Sequence, residues 1–260
     1  MNGKTLKILN TFSYIALIFA NIFVNVFKLG GNTTGGVSAK YTTLITPAPF
    51  TFSIWAVIYS LILLFVLYQW GVFDKTNHSD TVRKNIGLWF CVSCVLNILW
   101  LILWHFQKIG LSTLVIAALL ISLIIIRNIL DKTPTEKPQI LTVNIGFSLY
   151  FGWLIAATIT NIAVFLKSVN WNGFSLSDTF WAIIVLIVGT VIGSLLILKK
   201  KNFIGALAVI WAYVGILARH IGRTGFNGAY VSVIITLAIC IAVLLLEIAV
   251  VRYFDNKKSA

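Results

Sequence analysis

Seven acidic residues, three histidines and three cysteines are all that the sequence offers for acid–base, nucleophilic or metal chemistry. Asp74, Asp80, Asp131, Glu136, Asp178 and Asp255 fall in polar connections or tails, and only Glu247 sits within an apolar run, shortly before Arg252. A charge at that depth is costly unless it pairs or reaches the interface, so Glu247 is expected either to pair with Arg252 or to reach the inner interface. His105 and His220 close apolar runs and read as solvated helix ends rather than iron ligands. Cys91-x-x-Cys94 has the spacing of a redox dithiol or half of a zinc site. No second pair or clustered His completes it, and with Cys240 these residues read as packing groups. No carboxylate pair, metal cluster or Ser-His-Asp set can be assembled, so the chain reads as a non-enzyme that requires no cofactor.

Tryptophan, tyrosine and asparagine instead recur at helical spacing. Phe52, Trp55 and Tyr59 lie three and four residues apart, and Leu63, Val66 and Trp70 continue that face. A second face carries Trp89, Ser93, Asn97, Trp100 and Trp104, and a third carries Gly146, Tyr150, Trp153, Ala157 and Asn161. Residues at these spacings share one side of a helix, so each series is a stripe. Trp and Tyr also anchor helices at membrane interfaces, and buried Asn also glues helices together. Registry of all three residue types on three helices favours a shared pocket, where aromatic faces stack on a large, flat, mostly apolar ligand and amides orient it.

The elements that must hold these stripes are membrane spans. Of 260 residues, 59% are hydrophobic and 10% are charged, with a mean hydropathy of +0.97, whereas a soluble domain carries roughly 25% charged residues. The runs are apolar on every side, which excludes the alternating pattern of a β-barrel. A crossing needs about 20 residues, and eight spans are read at 6–27, 50–70, 86–106, 111–130, 140–166, 180–198, 203–218 and 229–251. The fold class is therefore an all-α polytopic membrane protein, with spans three and four paired as an antiparallel hairpin through 107–110.

A net charge of +13 would suggest a nucleic-acid partner in a soluble protein; here it reports topology. Fourteen of the 20 Lys and Arg lie at the two ends and after even-numbered spans, against Lys28, Lys40, Lys108, Lys167, Arg219 and Arg223 on the other side. That bias places both termini in the cytoplasm, with the chain integral to the plasma membrane, lipid as its surroundings and no nucleic acid. Segment 29–49, rich in Gly, Thr and Pro, is then the longest outward connection and suits a lid. Gly189-x-x-x-Gly193 permits close helix packing, within the chain or in a homodimer. No internal repeat of the kind found in transporters is visible.

The striped residues resemble those of the translocator protein family, also called the tryptophan-rich sensory protein or TspO/MBR family. Pro47, Pro49 and Phe52 followed by Trp55-Ala56-Val57-Ile58-Tyr59 are similar to its Pro-Pro element and its Trp-x-x-Leu-Tyr helix start. Leu96-Asn97-Ile98-Leu99-Trp100 resembles its third helix, and Tyr150-Phe151-Gly152-Trp153, Ala156-Ala157 and Asn161 resemble its fifth. The resemblance implies a five-helix bundle over 1–169 whose cavity, covered by the first loop, binds porphyrins and other flat hydrophobic ligands. It implies ligand contacts at Trp55, Asn97, Trp100, Trp153, Ala157 and Asn161, with Tyr59 and Tyr150 beside them. Residues 170–260 would add three spans and a basic tail, as in a longer form of the family. No sterol pattern follows span five, so sterol binding is not implied.

Two functions follow as expectations. The first is a membrane receptor or carrier for a porphyrin- or heme-like small molecule. The alternative is an ion-coupled secondary transporter of a small hydrophobic solute, with Glu247, Arg219 and His220 as coupling groups; scarce intramembrane charge speaks against it.

Overall fold

In a computed structural model the chain is described at residues 3–73, 78–133 and 140–259. The expectations for Asp74, Lys75, Glu136 and Lys137, and for the side chains of Asp80, Arg83 and Lys258, lie outside the described residues. Among the described residues nine α-helices run in the order α1 (Gly3–Val26), α2 (Thr34–Lys40), α3 (Ile54–Gln69), α4 (His78–His105), α5 (Ile109–Lys132), α6 (Ile145–Ser168), α7 (Asp178–Leu198), α8 (Phe203–Ile221) and α9 (Val231–Ser259). All but the short α2 are long and apolar enough to cross a bilayer, α3 together with the 3-10 turn Pro49–Ser53 that leads into it. Lipid supplies no hydrogen bonds to the backbone, so chains this apolar must satisfy it internally, as helices do.

Local signals set the ends. Side chains of Thr33, Ser177 and Asn202 accept backbone N–H groups at the starts of α2, α7 and α8. Gln107, in the left-handed region at φ 56°, closes the expected tight turn between α4 and α5. Between α6 and α7 the chain passes through a short 3-10 turn, Gly173–Ser175.

Two apolar cores result. One joins α1, α3, α4, α5 and α6; the other joins α7, α8 and α9 with Leu44 and Ile45 of the first connection. Helix α8 belongs to both, giving Ala208 and Ala212 to the first and Val209, Tyr213 and Ile216 to the second. It reaches the first core because α6 and α8 touch backbone to backbone, with no room at Gly152 for a side chain against Gly205. Gly189 likewise admits the Tyr213 hydroxyl and Gly193 the side chain of Leu244, so this glycine pair is used inside the chain. On the other flank Asn10 donates to Gln69 Oε1 at 2.6 Å and accepts from Cys91 Sγ at 3.0 Å, tying α1 to α3 and α4. Cys91, Cys94 and Cys240 are all free and buried.

The stripes are not buried along their whole length. Trp89 is 37% exposed, Leu63 39% and Trp70 49%. Two successive steps of four residues carry a side chain about 80° around the helix, which turns Trp89 away from the face of Asn97 and Leu63 away from that of Trp55. Trp70 instead anchors the end of α3, with its indole N–H on Thr11 Oγ1 at 3.0 Å and Lys7 over its ring.

Candidate ligand-binding site

The buried parts of the three stripes converge on Trp55. Its ring stacks on Tyr59 one turn along α3, at 5.4 Å between centroids and 23° between planes. Trp100 of α4 meets it at 5.8 Å and 34°, while Tyr150 and Trp153 of α6 meet it edge-on at 5.8 and 6.1 Å. Trp104 stacks on Trp100, and Phe52 meets Trp153 edge-on. Offset and edge-to-face pairs of this kind each contribute about 0.5–1.5 kcal/mol beyond the area they bury.

Amides and hydroxyls fix the rings. Trp100 donates its indole N–H to Asn161 Oδ1 at 3.0 Å, and the Asn161 amide donates in turn to Thr113 Oγ1 at 2.7 Å and Ser112 Oγ at 3.3 Å. Asn97 donates to the Tyr150 hydroxyl at 2.5 Å, and Tyr59, at a longer 3.5 Å, donates to Asn97 Oδ1. Asn21 of α1 completes this second chain by donating to the Tyr59 hydroxyl at 3.3 Å. Trp153 breaks the pattern: among the described residues its buried indole N–H has no acceptor, and the buried hydroxyl of Ser38 has no partner. An unmade hydrogen bond in so dry a place costs about 1–3 kcal/mol.

Trp153 and Ser38 border the same cavity. Trp55, Trp100, Trp104, Ala157 and Asn161 complete its aromatic and polar walls, with Ala212 and Ile216 of α8 at the back. Its free space is about 30 Å³, room for a water molecule or two and far too little for a tetrapyrrole. Across Phe52 and Trp55, which line both spaces, lies an open groove of about 650 Å³ between α1, α2 and α3, bordered by Asn21, Asn25 and Tyr59. That volume is within the roughly 300–1,000 Å³ of small-molecule sites.

The first connection folds back over the cavity, contributing Ser38 and Pro47. It is fastened on two sides. Trp104 donates to Thr34 O at 3.0 Å from α4, and Lys40 Nζ donates to Gln107 Oε1 at 2.6 Å. From α8, Trp211 donates to Thr51 O at 2.9 Å, His220 Nε2 bonds Leu44 O at 2.8 Å, and Gly215 O accepts from Ala48 N at 2.9 Å.

Trp55, Trp100, Trp153, Ala157 and Asn161 are thus brought to one cavity. Tyr59, Asn97 and Tyr150 form a hydrogen-bonded layer beside it, with Tyr59 turned to the groove. Ser38, Pro47, Thr160, Ala212 and Ile216 join them without being among the expected ligand contacts; the α8 residues lie outside the five-helix motifs.

The expectations for His105 and His220 require correction. His105 and His220 are not solvated helix ends: both are fully buried, each with one ring nitrogen on a backbone carbonyl. The folded-back connection reaches both, through the Leu44 carbonyl at His220 and through Gly30 against the backbone of His105. Arg219 is likewise occupied, donating to Thr42 Oγ1 at 3.1 Å and lying over Phe226. Of the two alternatives for Glu247, the ion pair with Arg252 is not made: the Arg252 guanidinium lies over the Phe203 ring at 5.3 Å, and one Glu247 carboxylate oxygen is buried without a hydrogen bond among the described residues. A separation of five residues puts the two about 140° apart around α9, whereas pairing needs three or four.

Eight apolar helices, with buried, interlocked tryptophans in the core formed by the first five, define a polytopic membrane protein with an aromatic internal site. The chain matches the TSPO-like protein family over residues 7–251 and belongs to that family. The match runs through all eight spans. No curated protein and no solved structure matches the chain.

Proposed function

We propose that the protein is a membrane receptor or carrier that binds a flat, hydrophobic, porphyrin- or tetrapyrrole-like molecule at the Trp55, Trp100 and Trp153 cluster. The observation that carries this reading is the Trp153 indole N–H, which borders the cavity with no acceptor among the described residues while the indoles of Trp100 and Trp104 beside it are satisfied. A ligand with an acceptor at the edge of an aromatic plane supplies what Trp153 lacks. Phe52 and Trp55 separate the small chamber from the groove by α1, so swinging the Phe52 ring aside merges the two into a space of ligand size. Membership of the TSPO-like family supports the same reading. Both termini face the cytoplasm of the plasma membrane, and the folded-back connection caps the outward end.

The test is quenching of tryptophan fluorescence by protoporphyrin IX in detergent micelles. Saturable quenching is expected, and Trp153→Ala combined with Asn161→Ala should raise the apparent Kd at least about tenfold, equivalent to about 1.4 kcal/mol. Unchanged affinity in a correctly folded double variant would overturn the site.

A further inference from the structure

A second recess lies at the other end of the bundle, where α5, α6 and α7 leave a groove of about 360 Å³. Its walls are apolar, from Ile124, Phe151, Ile192 and Leu195. Ile124 and Leu195 are 39% and 43% exposed, so the groove opens toward the surroundings of the helices rather than into the core.

Its rim is basic. Arg127, Lys199 and Lys200 border it with Asp131 as their counter-charge, three cations against one carboxylate among the described residues. Asp131 is already engaged: it accepts from Arg127 Nη2 at 2.6 Å and lies 3.8 Å from Lys200 Nζ. The Arg127 side chain is only 13% exposed, and its Nη1 is buried without a hydrogen-bond partner among the described residues. Lys199 makes no ion pair among the described residues, whereas its neighbour Lys201 is taken by Asp255 at 2.6 Å. Asn202, which caps the start of α8, also borders the groove and brings the positive end of that helix to it.

We propose that this groove binds the headgroup of an anionic phospholipid. The phosphate accepts from Arg127 Nη1 and pairs with Lys199 and Lys200, and the acyl chains descend along Ile124 and Leu195. A buried guanidinium nitrogen with no acceptor needs a fixed anion, and the apolar walls leading out toward lipid select an anion that carries tails. Basic pockets between spans take such headgroups in general. Phosphatidylcholine is disfavoured because its choline cation would meet an excess of positive charge.

Native mass spectrometry of the full-length protein released from micelles, with phosphatidylglycerol or phosphatidylcholine added at fixed ionic strength, tests this. Phosphatidylglycerol adducts should exceed phosphatidylcholine adducts, and Lys199→Gln with Lys200→Gln should weaken phosphatidylglycerol binding about tenfold or more. Arg127→Gln should do the same; the double lysine variant, altering only exposed side chains, stands if the arginine variant misfolds. Lys28→Gln with Lys167→Gln, which removes equal charge away from the groove, should leave binding unchanged. Equal binding by wild type and the Lys199/Lys200 variant, or equal loss in the Lys28/Lys167 variant, would overturn the proposal. Displacement of the lipid by inorganic phosphate at matched ionic strength would also overturn it, in favour of a free-anion site.

Discussion

At the scale of single residues, the site differs from ordinary packing in which polar groups are satisfied. Trp100 and Asn161 support each other, so removing Asn161 strands an indole. Asn161→Leu is expected to lower stability by about 1 kcal/mol, the usual worth of an intramembrane hydrogen bond, as a lower melting temperature in detergent. Trp153 should behave oppositely, because its N–H bonds to nothing. Trp153→Phe is expected to cost less stability than Asn161→Leu while weakening porphyrin binding more, and comparing melting with fluorescence titration separates the two effects. Asn97 and Tyr150 should be coupled: Asn97→Ala and Tyr150→Phe together should cost less than the sum of the single changes by about 0.5–1 kcal/mol in a double-mutant cycle.

At the scale of elements, α8 is the clamp. Its Trp211, Gly215 and His220 hydrogen-bond the backbone of the first connection at Thr51, Ala48 and Leu44. His220→Ala removes the bond to Leu44 O and the ring packed on Phe226 and Tyr230. Amide exchange across residues 43–48 is expected to quicken about tenfold, a local loosening of about 1.4 kcal/mol. Gly152 tests the other contact of α8. A Leu there collides with the backbone of Gly205, where no rotamer gives relief, so a loss of more than about 2 kcal/mol is expected in thermal unfolding. The spans themselves were legible from apolar run length, and the hairpin from its short connection. The clamp was not, because His220 acts on a carbonyl 176 residues away, and a backbone acceptor leaves no mark in side-chain pattern. Helical spacing named the rings around Trp55, yet could not tell that they interlock and close the space between them.

At the scale of the whole molecule, the division between 1–169 and 170–260 marks the five-helix motifs but not an independent site. Ala212 and Ile216 of α8 border the cavity, and α8 packs into both cores. A chain ending at residue 169 is therefore expected to lose porphyrin binding, and co-expression with 170–260 to restore it, read as recovery of fluorescence quenching. The most direct measurement is a structure determined with protoporphyrin IX bound. The macrocycle is expected against Trp55, Trp100 and Trp153, with Phe52 displaced and an acceptor of the ligand on the Trp153 indole N–H. A porphyrin found elsewhere, with Phe52 in place and the tryptophan cluster still closed, would contradict it.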